Sequence, residues 1–340
     1  MAESACPMNG GDGTYSYSKN STWQRSGASA VKDLINEALT ENLEIDKLLC
    51  GSKRFAVADL GCSVGPNTFY SMESIIEAVQ QKSSPKKLEF QVLFNDQIGN
   101  DFNTLFASLP QERNYFAAAV AGSFYGRLFP SSSIHIAYSS AALHWLSKVP
   151  EEGSPAWNAG KIHYNGASDA VVRAYEEQFE EEMEIFLRCR AEEIVAGGIM
   201  VINMPGVPHR DVPHRAAVML SFIESILIDM VKERVVEQEQ VDSFNIPIIF
   251  PCIETMRRVV EKNGSFENVK MEMVDGRAHA EAESVVMHLR AAMERTIANH
   301  FGNEIMEQLF ARAMQRKLHF TQILGGTSSP ASIFVVLKRK

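Results

Sequence analysis

Phe55-Ala-Val-Ala-Asp-Leu-Gly-Cys-Ser-Val-Gly-Pro-Asn67 is the stretch on which the fold turns. Phe55 to Ala58 is a short apolar run of the kind that forms a strand buried in a parallel sheet. Asp59 and Gly61 follow at once. Gly65 and Pro66 then break the chain before Asn67 to Val79, whose apolar spacing is helical. A strand, a glycine turn and a helix open a nucleotide-binding α/β sheet, where ligands lie beyond the carboxyl ends of the strands. The spacing is not the dinucleotide pattern G-x-G-x-x-G, because Gly61 is followed by Cys62 and Ser63 before Gly65. An acid at the strand tip sits badly beside a pyrophosphate. It suits a ligand with an ammonium group and ribose hydroxyls, and S-adenosylmethionine is such a ligand. Taken alone, the stretch also reads as an ordinary strand–helix turn.

Working outward, strands and helices alternate. Ser21 to Leu39 is helix-like, Leu88 to Phe94 a second strand, Phe102 to Leu109 a short helix and Phe116 to Ala121 a third strand. Ser83 to Lys87 is a loop between them. Ile134 to Tyr138 makes a fourth strand, and a long helix runs from Ser168 to Val195, closed by Gly197-Gly198, before a fifth strand at Ile199 to Met204. Such alternation predicts a mostly parallel sheet with right-handed crossovers. The pattern then changes. Residues 207 to 265 hold a helix from Ala216 to Val235 and strand character only around Ile246 to Phe250, as expected of a helical insertion over the sheet's carboxyl edge. Val269 to Val274 resumes the sheet, Ala280 to Leu318 is helical, and Ile333 to Leu337 is the last strand.

Composition bounds the function. At 340 residues, 45% apolar and 22% charged, the chain is ordinary for a soluble globular protein with a sizeable core. A net charge of −9 without a basic stripe argues against nucleic acid as the main partner. Five cysteines (Cys6, Cys50, Cys62, Cys189 and Cys252) show no C-x-x-C spacing and read as reduced thiols. No apolar run is long enough to span a membrane, and Met1 to Gly13 lacks a secretory core, so a cytoplasmic protein is expected. His209, Asp211 and His214 form a weak metal-ligand candidate without a further ligand nearby, and no metal is expected.

Four segments end at one edge of this sheet: Asp59-Gly61, Asn95-Asp96, Ser123-Phe124 and Ser139-Ser140. In a parallel sheet those ends converge on one crevice. Asp96, at the tip of its strand, is placed to accept both ribose hydroxyls. Singly it reads as a helix cap or turn residue; beside Asp59 it reads as a second cofactor acid.

Further motifs extend the pattern across nearly the whole chain. They are Met8-Asn-Gly-Gly-Asp-Gly13, Ser16-Tyr17, Asn20-Ser21, Gln24-Arg25, Gly99-Asn-Asp-Phe-Asn103, Gly122-Ser-Phe-Tyr-Gly-Arg-Leu-Phe-Pro130, Leu143-His-Trp-Leu-Ser-Lys-Val-Pro150 and Asp242-Ser-Phe-Asn-Ile-Pro247. In this order they resemble the plant SABATH-type small-molecule carboxyl methyltransferases, named after salicylate, benzoate and theobromine methyltransferases. The resemblance implies a class I methyltransferase fold: a Rossmann-like, mostly parallel seven-stranded sheet with an α-helical cap. It also implies S-adenosylmethionine as methyl donor and a homodimer. The whole chain is then one domain, its sheet drawn mainly from residues 50–206, 266–275 and 331–340 and its cap from 1–40, 207–265 and 280–320. By position, Tyr17, Ser21, Asp59, Gly61, Asn67, Asp96, Gln97, Ser123 and Phe124 correspond to cofactor contacts. Gln24 and Trp145 correspond to the pair that holds a substrate carboxylate, with Ala141, His144, Phe222 and Phe250 around the acceptor.

The chemistry fits these roles. A carboxylic acid with a pKa of about 4 is already a nucleophile at neutral pH and needs no general base. The Gln24 amide and the Trp145 indole are neutral donors that orient a carboxylate without neutralising it. One departure stands out: an aromatic residue, often tyrosine, usually follows the paired serines, and here Ala141 does. That enlarges the pocket or weakens alignment. The segments 151–155 and 275–280 are also short for the family. The first expectation is a methyl ester of a small, largely apolar plant acid. N-methylation of a small heterocycle and a catalytically inactive homologue acting as a binding subunit are the alternatives.

Overall fold

A computed structural model describes residues 7–49, 51–83, 87–275, 281–325 and 332–340. Seven strands form one sheet: β1 (Arg54–Leu60), β2 (Glu89–Asp96), β3 (Tyr115–Ala121), β4 (Ile134–Ser140), β5 (Ile194–Pro205), β6 (Phe266–Val274) and β7 (Ser332–Arg339). Their order is β3-β2-β1-β4-β5-β7-β6. Strands β3 to β5 in that row pair in parallel, and β7 runs antiparallel to both of its neighbours. The winding direction reverses between β1 and β4, which opens a crevice beyond their carboxyl ends.

The helices, in chain order, are α1 (Tyr17–Asn20), α2 (Thr22–Ala30), α3 (Lys32–Asn42), α4 (Ile45–Leu49), α5 (Pro66–Ser83), α6 (Phe102–Ala107) and α7 (Asp169–Glu193). After them come α8 (Arg215–Lys232), α9 (Gln238–Asp242), α10 (Ile253–Asn263), α11 (Ala282–Phe301), α12 (Met306–Gln315) and α13 (Lys317–Gly325). Successive strand residues point to opposite faces, and both faces are covered. Phe55, Val57 and Phe94 pack with Ile35, Met72 and Ile76 of α3 and α5. Ala56, Ala58 and Leu60 share a second core with Phe179, Phe186 and Val259 of α7 and α10. A third core, built from α8, α11, α12 and α13, lies above the sheet.

Several boundaries differ from the sequence expectation. The helix expected over Ser21 to Leu39 is two, broken at Val31, whose side chain is fully buried in the first core. The long helix ends at Glu193, before the glycines, and β5 begins at Ile194. Gly198 serves that strand: a Cβ there would meet Ile194 and the His135 carbonyl within 2.8 Å. The strand character near Ile246 to Phe250 amounts to a single bridge between Trp145 and Ile248. Helix α10 packs on α7 and β6 beside the sheet. Cys6 and Cys50, together with parts of the loops at 83–87 and 275–280, lie outside the described residues; Cys62, Cys189 and Cys252 are free thiols.

One buried ion pair ties the second layer to the loop after β3. Arg190 and Glu193, 1% and 0% exposed, meet at 2.7 Å. The Arg190 guanidinium also donates to the carbonyls of Phe124 and Gly126, each at 2.8 Å. Glu193 accepts from the amides of Leu128 and Phe129 at 2.6 and 3.1 Å. The loop 122–130 is thus held by charged groups that are themselves satisfied. Removing Arg190 leaves Glu193 buried with only the partly exposed Arg127, 3.3 Å away, as a cationic partner, at a cost of up to about 3–5 kcal/mol. Arg190→Met should therefore lower stability in urea unfolding by that order and speed amide exchange across 122–130. Wild-type stability and exchange would show that the pair does not hold the loop.

Candidate functional site

Beyond the ends of β1, β2 and β4 lies a cavity of about 590 Å³, floored by the glycine turn and roofed by the cap. Gly61 turns with φ +87°, and a Cβ there would stand 2.3 Å from the Ala142 methyl, so only glycine fits this close passage. The turn is pinned to β2: the amides of Gly61 and Cys62 both donate to the Asn95 carbonyl at 2.9 Å. The Asn95 side chain in turn donates to the carbonyls of Val120 and Gly122, at 2.8 and 3.0 Å.

Asp59 and Asp96 face this space. Asp59 is 3% exposed and accepts from the Thr68 hydroxyl at the start of α5. Burial pushes its carboxyl up to about 7; the Thr68 bond opposes that, and nearby Asp96 adds to it. Asp96 accepts from the amides of Ser63 and Gln97 at 2.7 and 2.8 Å. It opens onto the cavity but is enclosed elsewhere, and desolvation pushes it up to about 6 against those two bonds. Among the described residues no lysine or arginine forms an ion pair with either acid. Two desolvated carboxylates without a basic partner suit a cationic ligand. The buried Ser63 hydroxyl, without a partner among the described residues, adds a donor in the same turn.

The chain's first segment closes one side. The Asn9 amide donates to the Ala291 carbonyl at 3.0 Å, and the Tyr17 amide to the Asn9 carbonyl at 2.8 Å. This brings Met8 and Tyr17 to the cavity wall beside Asp96. Burial, and then Asp96, raises the Tyr17 phenol above its ordinary range.

The acceptor candidates also line the cavity. Gln24 on α2 and Trp145 after β4 line the same cavity. The Trp145 segment is held by bonds from Tyr125 Oη to the Trp145 carbonyl at 2.9 Å and from the Leu146 amide to the Pro247 carbonyl at 2.8 Å. The Ser147 hydroxyl donates to Glu182 of α7 at 2.6 Å. His144 is buried, and desolvation, with His214 adding, pushes it down to about 3; its Nδ1 has no partner among the described residues. Phe250 lies between His144 and His214, with ring centroids 6.3 and 4.4 Å away. Ala141 also lines the space, in a left-handed conformation with φ +52°.

Gly61, Asn67, Gln97, Ser123 and Phe124 line the cavity with the two acids. Ser21 and Phe222 are not among its lining residues. Ser21 is 3% exposed and stands behind the wall, where its carbonyl accepts from the Asn67 side chain at 2.9 Å. Phe222 stacks on Phe320 at 4.2 Å inside the cap, because its helix turns that face toward α13. The weak metal candidate does not converge: His209 and Asp211 are exposed, while His214 is buried and caps α8 by accepting from the Ala216 amide at 3.0 Å.

Among the polar lining residues that went unread in the sequence are Thr68, His288, Arg215 and Asn203. His288 carries a signal, since it interrupts an otherwise apolar stripe of Val285, Leu289 and Ala292 at helical spacing. Arg215, its guanidinium 5.3 Å above the Trp23 ring, and Asn203 offer no such pattern.

A model of the family described as SAM dependent carboxyl methyltransferase matches residues 3–340. The chain is 42% identical to loganic acid O-methyltransferase of Catharanthus roseus, over 100% of this chain and 95% of that one. It is 38% identical to paraxanthine methyltransferase 2 of Arabidopsis thaliana, over 92% and 94% of the two chains. The solved structure of a loganic acid methyltransferase with SAH matches with a TM-score of 0.93 at 41% identity, covering 98% of this chain and 99% of that one.

Acids raised this far change charge near neutral pH, so a ligand held by them binds pH-dependently. Both folded values lie above the unfolded 3.8, so their stabilisation is complete below that pH and is lost as pH rises through 6 to 7. A cationic ligand favours the ionised forms. S-adenosylmethionine affinity, measured by calorimetry, should therefore rise from about pH 5.5 and level above about pH 8. Asp59→Asn should remove the upper part of that rise. A pH-independent affinity in the wild type would contradict the assignment.

Proposed function

The chain belongs to the S-adenosylmethionine-dependent carboxyl methyltransferases, and on that premise we propose how its cavity divides the work. Asp59 and Asp96 hold the methyl donor, with Gly61, Asn67, Gln97, Ser123, Phe124 and Tyr17 around them and Ser21 supporting Asn67. S-adenosylmethionine supplies a methyl group already made electrophilic by its sulfonium sulfur. Gln24 and Trp145 hold the carboxylate of a small acid, and Ala141, His144 and Phe250 shape the space around the rest of it.

The observation that carries this reading is the division of charge within one cavity. The acids stand at the strand ends, while His144 and His288, with pKa values near 3 and 4, are neutral at pH 7 and present imidazoles on the acceptor side. The substrate therefore enters as a carboxylate, and neither His144 nor His288 holds a proton to give it. Neutral donors at Gln24 and Trp145 orient it and leave its oxygen nucleophilic. The Arg215 guanidinium lends positive potential to the same wall. The N-terminal segment and the cap cover part of the cavity, and fewer waters beside these groups strengthen their interactions.

The relative named for paraxanthine keeps a second reading in view, methylation of a ring nitrogen. The Gln24 amide serves that reading only when turned over from its bond with His288, its oxygen then accepting from a ring N–H. The sheet and cap form one methyltransferase domain in our reading. A homodimer is supported by Phe116, 69% exposed on the edge strand β3. A cytoplasmic setting is supported by free Cys62, Cys189 and Cys252; no helix among the described residues is long and apolar enough to cross a membrane.

Losing a hydrogen bond to a charged group costs roughly ten- to a hundredfold in binding. Gln24→Ala and Trp145→Ala should each raise the KM for the acid by about that factor and leave the KM for S-adenosylmethionine unchanged. Acid kinetics unaltered in both variants would remove the carboxylate clamp from the account.

A further inference from the structure

Gln24 is not oriented by its own helix. His288, 7% exposed on α11, places Nδ1 3.2 Å from the carbonyl oxygen of Asn20, at the end of α1. A carbonyl can only accept, so Nδ1 carries the ring hydrogen and Nε2 of the neutral imidazole is left as an acceptor. Nε2 lies 3.2 Å from Nε2 of Gln24, which must then donate. Burial is what keeps the ring neutral, opposed by the Asn20 carbonyl. Turning the Gln24 amide over would bring its oxygen against the ring's lone pair. The amide nitrogen is thereby held toward the ring, and Oε1 is left buried without a partner among the described residues.

We infer that His288 is a positioning residue for ester formation: the Asn20 carbonyl selects its tautomer, the tautomer selects the orientation of the Gln24 amide, and the second hydrogen of that amide is the one presented to the substrate carboxylate. The inference rests on the carboxylate clamp proposed above. It links three separate helices, α1, α2 and α11, so that cap and N-terminal segment together set a donor that neither sets alone. Without the ring, both orientations of the amide become available, and the one with oxygen toward the cavity repels the acid.

Replacing the ring by single amides separates the two nitrogens. Glutamine reaches the Nε2 position and can accept from Gln24, whereas asparagine reaches only the Nδ1 position. The test measures KM and kcat for an acid substrate in His288→Gln, His288→Asn, His288→Leu, Gln24→Ala and the double variant Gln24→Ala/His288→Asn. S-adenosylmethionine binding by calorimetry checks that each variant is folded. His288→Asn and His288→Leu should raise the acid KM roughly tenfold or more, with cofactor affinity unchanged. His288→Gln should recover most of that loss, and the double variant should be no worse than Gln24→Ala alone. Equal losses in the glutamine and asparagine variants would mean that the ring acts by shape alone, and the inference would fall. Normal acid KM in His288→Asn, with Gln24→Ala impaired, would also overturn it and leave the clamp standing. If Gln24→Ala itself is unimpaired, the clamp is at fault and the inference falls with it. Should His288→Leu fail to fold, the glutamine and asparagine pair decides.

Discussion

Two acids at adjacent strand ends set the terms for this molecule. Asp59 and Asp96 are withdrawn from water, each raised above the ordinary carboxylate range, with no basic side chain paired to either among the described residues. Like charges in a partly dry space repel, and nothing in the local hydrogen bonding fully offsets that. Their surroundings are arranged to keep them in place all the same. Thr68 binds one, and the Ser63 and Gln97 amides bind the other. Gly61 allows the chain to pass against Ala142 so that the turn can close between them. In the role we propose for them, the positively charged methyl donor removes the conflict.

The acceptor side follows a different rule. His144 and His288 are driven toward neutrality by burial, and the clamp we propose there consists of an amide and an indole. A lysine at the clamp would hold a carboxylate more tightly and make its oxygen a poorer nucleophile. The parts that hold the two sides lie beneath them: Glu182 under Ser147, and the Arg190–Glu193 pair under the loop 122–130. Both come from α7, so one long helix supports the donor loop and the acceptor wall together.

The sheet was legible because strands buried on both faces leave apolar runs bounded by glycine, proline or polar residues, as at Phe55 to Ala58 and Phe116 to Ala121. Asp59, Asp96 and Gly61 could be placed for the same reason, since a strand's end fixes where its next residues stand. Helix limits were less legible. Val31 breaks a helix through tertiary burial that no local propensity records, and Gly197-Gly198 reads as a helix stop although it belongs to β5. The cap hid most. Phe222 looks like a pocket residue by type, but its neighbour Phe320 lies almost 100 positions away in the chain and decides its packing. His288 acquires meaning only beside Asn20 and Gln24, which approach it from the other end of the sequence.

The claim that the cavity makes an ester from an ionised acid can be put to one measurement. The enzyme is incubated with S-adenosylmethionine carrying a labelled methyl group and a panel of small carboxylic acids, and the product is treated with mild alkali. The account requires label transferred to an acid and released by alkali as methanol. Label that resists alkali, or no transfer to any acid while a ring nitrogen is methylated, would contradict it.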